Sequence, residues 1–495
     1  MRNNTGFPAP TYAETVLAVN FADAQRFYLD ALLDIHYAHT LMLARQGIIT
    51  SEVARRCLDG LDSLDRSELS TARYDGRYED LFFYIEAELE RLAGAENAGQ
   101  MHTARSRNDI AITQYRTVLR REILSILAAL NAVRRTLLAI ARDHIATLMP
   151  AYTHTQPAQP TTLAHYFMAA VEMFGRDECR LQAAFATVNR CPLGACAITT
   201  TGFPIDRDFT AELLGFEGLQ LNSYGAIAAT DYITETAGAV ATTMVNLGKL
   251  TQDLLLWCTA EFGLLRLSDA WVQSSSIMPQ KRNPVPLEHT RVLASKALGQ
   301  AQGVVLVTHN TPFGDINDSE DDLQPLVFSM TADASRALRL FGGLLTGCEF
   351  NMERMAERAN SDFLTVTELA DTLVRSEGIS FREAHHLVSE AVRNLHSAYS
   401  ASSMVEQIIA LAPGLQTSRE SLIQALDPAH FVAIRSIPGG PAPEAIRTAI
   451  DQADAEIAAV GSWLATKSTL IDSTSTRLAA AGSECRAGCQ PAADC

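Results

Sequence analysis

From Asp109 to about Leu148 the chain runs without a single proline or glycine until Pro150. Apolar residues recur through it at Leu119, Ile123, Ile126, Leu130, Val133, Leu137 and Ile140. That three-to-four spacing predicts one uninterrupted amphipathic helix. At 1.5 Å per residue it extends about 60 Å, too long for a compact core to surround, so the chain must build an extended bundle. Four further long candidates follow at about 159–189, 226–263, 286–309 and 323–350. The fold class expected is all-α, with an elongated central five-helix bundle flanked by smaller helical domains. The stretch 226–263 is apolar or small on most faces, as in Ala226, Ile227, Ala228, Ala229, Ala237, Gly238, Ala239 and Val240. A helix apolar all round is buried, and in a chain of this size other subunits can supply the cover, so an oligomer is expected.

The flanks are shorter and more mixed. Residues 1–108 form an N-terminal helical domain that includes the charged segment Arg73-Tyr74-Asp75-Gly76-Arg77-Tyr78-Glu79-Asp80. The bundle occupies 109–364, and a small helical domain occupies 365–471, where Ser380-Phe381-Arg382-Glu383 reads as a capping box. The Ser/Thr/Ala/Gly-rich stretch 472–495 is expected to be a disordered tail. There is no internal repeat, no Gly-rich phosphate loop and no alternating strand–helix rhythm.

With 47% apolar residues in 495, a large core is available. The net charge of −17 and pI near 5.2 argue against a nucleic-acid partner. Small anions must then be met by local cations. No apolar run of about 20 residues is expected to span a membrane. The start, Met1 to Gly6, lacks the apolar segment of a secretory signal, so a cytoplasmic location is expected. The nine cysteines are widely spaced and odd in number, which does not suggest a disulfide framework. The last three, Cys485, Cys489 and Cys495, lack nearby histidines and read as free thiols rather than metal ligands.

Three clusters concentrate polar chemistry. Ser274-Ser275-Ser276-Ile277-Met278-Pro279-Gln280-Lys281-Arg282-Asn283-Pro284 packs hydroxyls, cations and amides between two prolines' constraints, which makes it a loop. His102-Thr103-Ala104-Arg105-Ser106-Arg107-Asn108-Asp109 stands at the mouth of the long helix, where free N–H groups and the dipole suit a carboxylate. Tyr152-Thr153-His154-Thr155-Gln156-Pro157 follows the helix and offers a donor and a titratable ring. Each cluster alone also has a structural explanation: Ser106 and Asp109 cap helices, and His154 is a satisfied histidine.

Together the clusters resemble the argininosuccinate lyase branch of the fumarase/aspartase superfamily. That family carries HTGRSRND where this chain has His102 to Asp109, with Ala104 in place of the glycine. It carries YTH-x-Q-x-AQP, matched by Tyr152 to Pro160, and GSS-x-MPQK-x-NP, matched except that Gln273 replaces the glycine. Its LNS, LSDA and PLG appear as Leu221-Asn222-Ser223, Leu267-Ser268-Asp269-Ala270 and Pro192-Leu193-Gly194. The resemblance covers roughly residues 40–395. It implies a homotetramer around a twenty-helix core, with each active site shared among three subunits.

It also implies a reversible elimination that takes an amine from an N-substituted aspartate and gives fumarate. The proton leaves the carbon beside one carboxylate, and that carboxylate holds the charge as an aci-carboxylate. No cofactor or metal is implied; preorganised positive charge is. By resemblance Ser276 is the base, its alkoxide supported by Lys281 and loop N–H groups. Lys281 and Asn283 bind the aci-carboxylate, and Ser106, Arg107, Asn108, Thr153, Ser275 and Met278 hold the small dicarboxylate substrate. His154, paired with Glu288, is the family's candidate acid, protonating the amine or positioning the substrate.

The amine half of the site departs from the family. An arginine of the LNS segment becomes Thr230. In the TYNKD-x-QEDKE run the tyrosine becomes Asp315, the glutamine Glu320 and the lysine Leu323, by ungapped alignment; a register with a gap instead matches Asp322-Leu323-Gln324 to the family's D-x-Q. The N-terminal serine and aspartate lack counterparts near Phe21 and Gln25. Acids replace them: Asp315, Asp318, Glu320, Asp321 and Asp322. At least three of these are expected to cap a helix and face solvent, and one or two turned inward favour a cationic amine. The branch includes ethylenediamine-N,N′-disuccinate (EDDS) lyase, which has that profile, so Asp315 and Glu320 are candidate substrate-binding residues for an aminopolycarboxylate. The alternatives are an argininosuccinate lyase proper, another superfamily member such as adenylosuccinate lyase, and a non-catalytic crystallin-like scaffold.

Overall fold

The structure, a computed structural model, describes residues 7–395 and 399–488. Met1 to Gly6, Cys489 and Cys495, on which three expectations rested, lie outside the described residues. Five long helices form the centre: Arg107–Asp143, Leu163–Val188, Asp231–Trp257, Val285–Thr308 and Gln324–Leu345. The first packs on the second, the third on the fourth and the fourth on the fifth. One apolar cluster runs through all of them, from Leu119 in the first to Leu345 in the fifth. The chain is all-α, with the central bundle that the periodicity predicts.

The first helix has 37 residues and starts where its chemistry dictates. Ser106 caps it, and the Asp109 side chain answers with a bond to the Ser106 N–H, so two end groups satisfy each other. By length and composition this helix is apolar enough to cross a membrane, against expectation, and it is spent in the protein core.

Three boundaries differ from the sequence reading. The stretch 226–263 breaks at Ala229 and Thr230, giving a short helix Ser223–Ala228 before Asp231–Trp257. Residues 365–471 are not one unit. Leu369 to Leu426 enclose their own core, whereas Pro443–Asp472 is a 30-residue helix whose Ile446, Ile450, Ile457 and Ile471 join the bundle core. The expected tail contains a helix, Thr474–Arg486, whose Leu478 enters the N-terminal core. Arg486 also pairs there with Asp59, at 2.9 Å, and with Asp62. Ser380 caps the helix Phe381–Leu395, its Oγ accepting from the Glu383 N–H at 3.2 Å, which is one half of the expected capping box.

Short strands fill the ends of the bundle. Leu148–Thr153 pairs antiparallel with Gln156–Thr162, with a bulge at Ala151/Tyr152, and Gln273–Ser274 pairs with Arg282–Asn283. Both hairpins carry one of the polar clusters.

Three arginines of the first helix are buried: Arg116, Arg120 and Arg134. Arg120 donates to the Asn189 Oδ1 at 2.9 Å and to the Gly215 carbonyl at 2.7 Å. Arg134 donates to the Val171 carbonyl at 2.9 Å, pairs with buried Glu178, and reaches Glu456 at 3.1 Å. It thus links the first and second bundle helices to the Pro443–Asp472 helix. Glu178→Ala leaves a buried cation without its buried partner and is expected to destabilise the fold by about 3–5 kcal/mol. Glu456→Ala removes an exposed partner and should lower the melting temperature far less. Thermal unfolding followed by circular dichroism compares them; equal effects would remove Glu178 from this role.

Candidate active site

The site begins with Asp109. Its buried carboxylate accepts three backbone N–H bonds: from Ser106 at 2.9 Å, Gly194 at 2.8 Å and Cys196 at 2.9 Å. Burial pushes its carboxyl up to about 6, and the three N–H groups oppose that. The Pro192-Leu193-Gly194 turn is thereby pinned beside the polar helix start. Gly194 has φ +88°, and a Cβ there would meet Arg207 at 2.7 Å, so glycine is required.

Arg107 and Asn108 then face a cavity of about 240 Å³ between the N-terminal domain and the loop before the fifth helix. Arg107, expected to hold a substrate carboxylate, is paired with acids of its own chain. It donates to Asp80 at 2.7 Å and Glu79 at 3.1 Å, and lies over the Phe83 ring. The Asn108 amide donates to Asp315 at 2.8 Å and to the Ala197 carbonyl at 3.1 Å. Asp315, Glu320, Asp321 and Asp322 all line the cavity; Asp315, Asp318, Asp321 and Asp322 face solvent, in keeping with the expectation of at least three, and Glu320 is half-buried. Burial, then the hydrogen bond and charge of Asp315, push the Glu320 carboxyl up to about 8. Asp321, raised by burial, accepts from the Tyr115 hydroxyl at 2.6 Å. Gln25 donates to the Leu69 and Ala72 carbonyls, and Phe21 is buried.

The Ser-rich cluster is the Gln273–Asn283 hairpin. Its base is held by Arg282, which donates to Asp269 at 2.6 Å and to the Leu267 carbonyl at 2.7 Å. The LSDA motif is therefore the loop's anchor. Ser275 is half-buried and its Oγ accepts from the Met278 N–H at 3.1 Å. Ser276, Met278 and Lys281 are exposed, Asn283 is half-buried, and Glu288 is exposed on the first turn of the fourth bundle helix.

Thr153 and His154 are exposed at the tip of the other hairpin. His154 has φ +51° and Thr155 φ +61°. Two successive left-handed residues suit a tight hairpin turn, at about 1–2 kcal/mol each for side chains with a Cβ. His154 and Glu288 make no ion pair within the chain. The structure thus joins Arg107, Asn108, Asp315 and Glu320 in one cavity, with Ser106 beside it on Asn108, and it keeps Ser276 and His154 out of that cavity's lining. Glu79, Asp80, Gln114 and Tyr115 are further lining residues that the sequence reading misses. Only the helical spacing of Gln114 and Tyr115 from Asn108 and Ala111 signals them; the pairing of Glu79 and Asp80 with Arg107 leaves no local trace.

Ala104, where the resembled family has glycine, adopts φ +60°. A Cβ in that conformation costs about 1 kcal/mol, so Ala104→Gly is expected to stabilise the chain by about 1 kcal/mol. A rise in melting temperature checks it; a fall would show that the Ala104 methyl is needed for packing.

A lyase family profile matches residues 25–299, and an argininosuccinate lyase C-terminal profile matches 363–433, the segment with its own small core. Argininosuccinate lyase 2 of Agrobacterium fabrum is 43% identical over 452 residues, 90% of each chain. Argininosuccinate lyase of Methanoculleus marisnigri is 40% identical over 434 residues, 87% of this chain and 88% of that one. The crystal structure of EDDS lyase in complex with formate superposes with a TM-score of 0.86 at 33% identity, covering 98% of this chain and 97% of that one. The chain belongs to the argininosuccinate lyase branch of the fumarase/aspartase superfamily and is a carbon–nitrogen lyase that releases fumarate.

Proposed function

We propose that the substrate is an N-substituted aspartate whose amine half carries a further positive charge, with an aminopolycarboxylate such as EDDS as the first choice. One observation carries this reading. Asp315 and Glu320 line the same cavity as Arg107 and Asn108, so the half of the site that meets the amine is acidic. A solved relative of the same fold is an EDDS lyase. Argininosuccinate is the second reading, favoured by the two relatives above 40% or at 40% identity that bear that name.

In this reading Ser276, on the exposed hairpin, takes the proton once the loop closes, with Lys281 stabilising its alkoxide. Lys281 and Asn283 hold the aci-carboxylate; Ser106, Arg107, Asn108, Thr153, Ser275 and Met278 hold the rest of the succinyl group. His154, oriented by Glu288, serves the departing nitrogen. The left-handed turn at His154 and Thr155 supports this, because backbone strain at an exposed polar tip suits a functional position.

Fumarate release, followed by ultraviolet absorbance, is the test. EDDS should turn over faster than argininosuccinate, and Ser276→Ala should slow either by about 10²–10⁴-fold. KM for the cationic substrate should fall as pH rises towards 8, because the Glu320 carboxyl, raised by burial and by Asp315 beside it, then loses its proton and gains negative charge. Turnover of argininosuccinate alone selects the second reading, and no fumarate from either substrate overturns both.

The remaining part of the reading is a homotetramer. Val245 and Leu256 of the third bundle helix, and Val292, Val305, Leu306 and Val307 of the fourth, are exposed apolar side chains. Such faces need cover, and three subunits together would bring the hairpins to the Arg107 cavity. Sedimentation velocity should find a tetramer, and Leu306→Asp should dissociate it with loss of activity. A fully active monomer would end this part of the reading.

A further inference from the structure

Glu79 and Asp80 end the charged segment 73–80, to which the elimination assigns no task. Both carboxylate donors at the helix start are engaged by acids of the same chain: Arg107 by Asp80 and Glu79, and Asn108 by Asp315. Among the described residues Arg107 is the one cation in the lining, with six carboxylates around it: Glu79, Asp80, Asp315, Glu320, Asp321 and Asp322. A second observation is independent of these charges. Gln114 lines the same cavity, is 9% exposed, and its Oε1 has no hydrogen-bond partner among the described residues. An amide oxygen can only accept, so it fits an N–H donor such as an ammonium group. The cavity is therefore arranged for a ligand cation as well as a ligand carboxylate.

We propose that Glu79 is a specificity-determining residue that works by exchange. A positive charge on the amine half takes over Glu79 and Asp80, with Gln114 as a further acceptor. Arg107, so released, turns to a substrate carboxylate. The proposal rests on the cationic-amine reading and adds a coupling between the two halves of the site. An amine without a second cation must draw Arg107 away with nothing replacing it. Arg107 and Glu79 are each 41% exposed at the side chain, so water weakens the pair and the coupling is of modest size. Coupling of this kind is reciprocal: a diamine tightens fumarate by the factor with which fumarate tightens the diamine.

Titration calorimetry of fumarate into the full-length protein, with and without saturating ethylenediamine, tests this. In the unmodified protein the diamine should tighten fumarate about fivefold or more. In Glu79→Gln fumarate alone should bind about fivefold tighter than before, and the diamine should add little; Glu79→Asp should restore the coupling. Circular dichroism checks that the variants fold, and if Glu79→Gln does not, the unmodified protein alone decides. Fumarate affinity indifferent to the diamine, unmeasurable in both states, or equally coupled in Glu79→Gln overturns the proposal. If EDDS is turned over and such coupling is absent, the cationic-amine reading survives and the role of Glu79 does not.

Discussion

The buried carboxylate of Asp109 is the point on which the arrangement of the site depends. One oxygen closes the helix start and the other gathers the N–H groups of Gly194 and Cys196. An unsatisfied buried N–H costs about 1–3 kcal/mol, so removing this acceptor would free two loop amides and one end of the longest helix together. Arg107 and Asn108 precede Asp109 directly and inherit its rigidity. Further along the same helix, Arg116, Arg120 and Arg134 repeat the device with the opposite sign, offering buried donors to carbonyls and to Glu178. A long helix in a bundle can slide or rotate against its neighbours; directional bonds at both kinds of position fix its register.

The charge balance of the chain makes sense around that frame. With a net charge of −17, the global field repels a dicarboxylate, so attraction has to be local and short-ranged. The proposed site draws on Lys281 and Arg107, with Arg282 next to Lys281 in the hairpin. Of these, Arg282 is consumed in holding the hairpin to Asp269 and Leu267, and Arg107 is balanced by Glu79 and Asp80. Positive charge at this site is therefore scarce and positioned, and acidic groups set the terms on which it becomes available.

Much of the fold was legible because periodicity is a local signal. Leu119 to Ile140 spell out a helix without reference to anything else, and the capping residues Ser106 and Asp109 mark its start. The Pro443–Asp472 helix was absorbed into a smaller unit because nothing local distinguishes a helix that packs on a distant bundle from one in a small domain. The break at Ala229 and Thr230 occurs in a run of small residues with no proline or glycine to announce it. The site divides in the same way. The motifs around Ser276, His154 and Arg107 were readable as strings, whereas the strain at Ala104, with its φ of +60°, emerges only from the fold. The partners of Arg107 lie 27 and 28 positions away, and Asp315 lies 207 from Asn108. Pairings at such separations are products of the fold.

The helix Thr474–Arg486 reaches back to the beginning of the chain. Its Leu478 fills the N-terminal core, and Arg486 binds Asp59 and Asp62. During synthesis the first hundred residues emerge long before this segment does, at about 5–20 residues per second. Their core keeps an open apolar notch until residues 474–486 have left the ribosome. The completion of this early core is thus timed by a segment made much later, and the notch is open to chaperones in the interval.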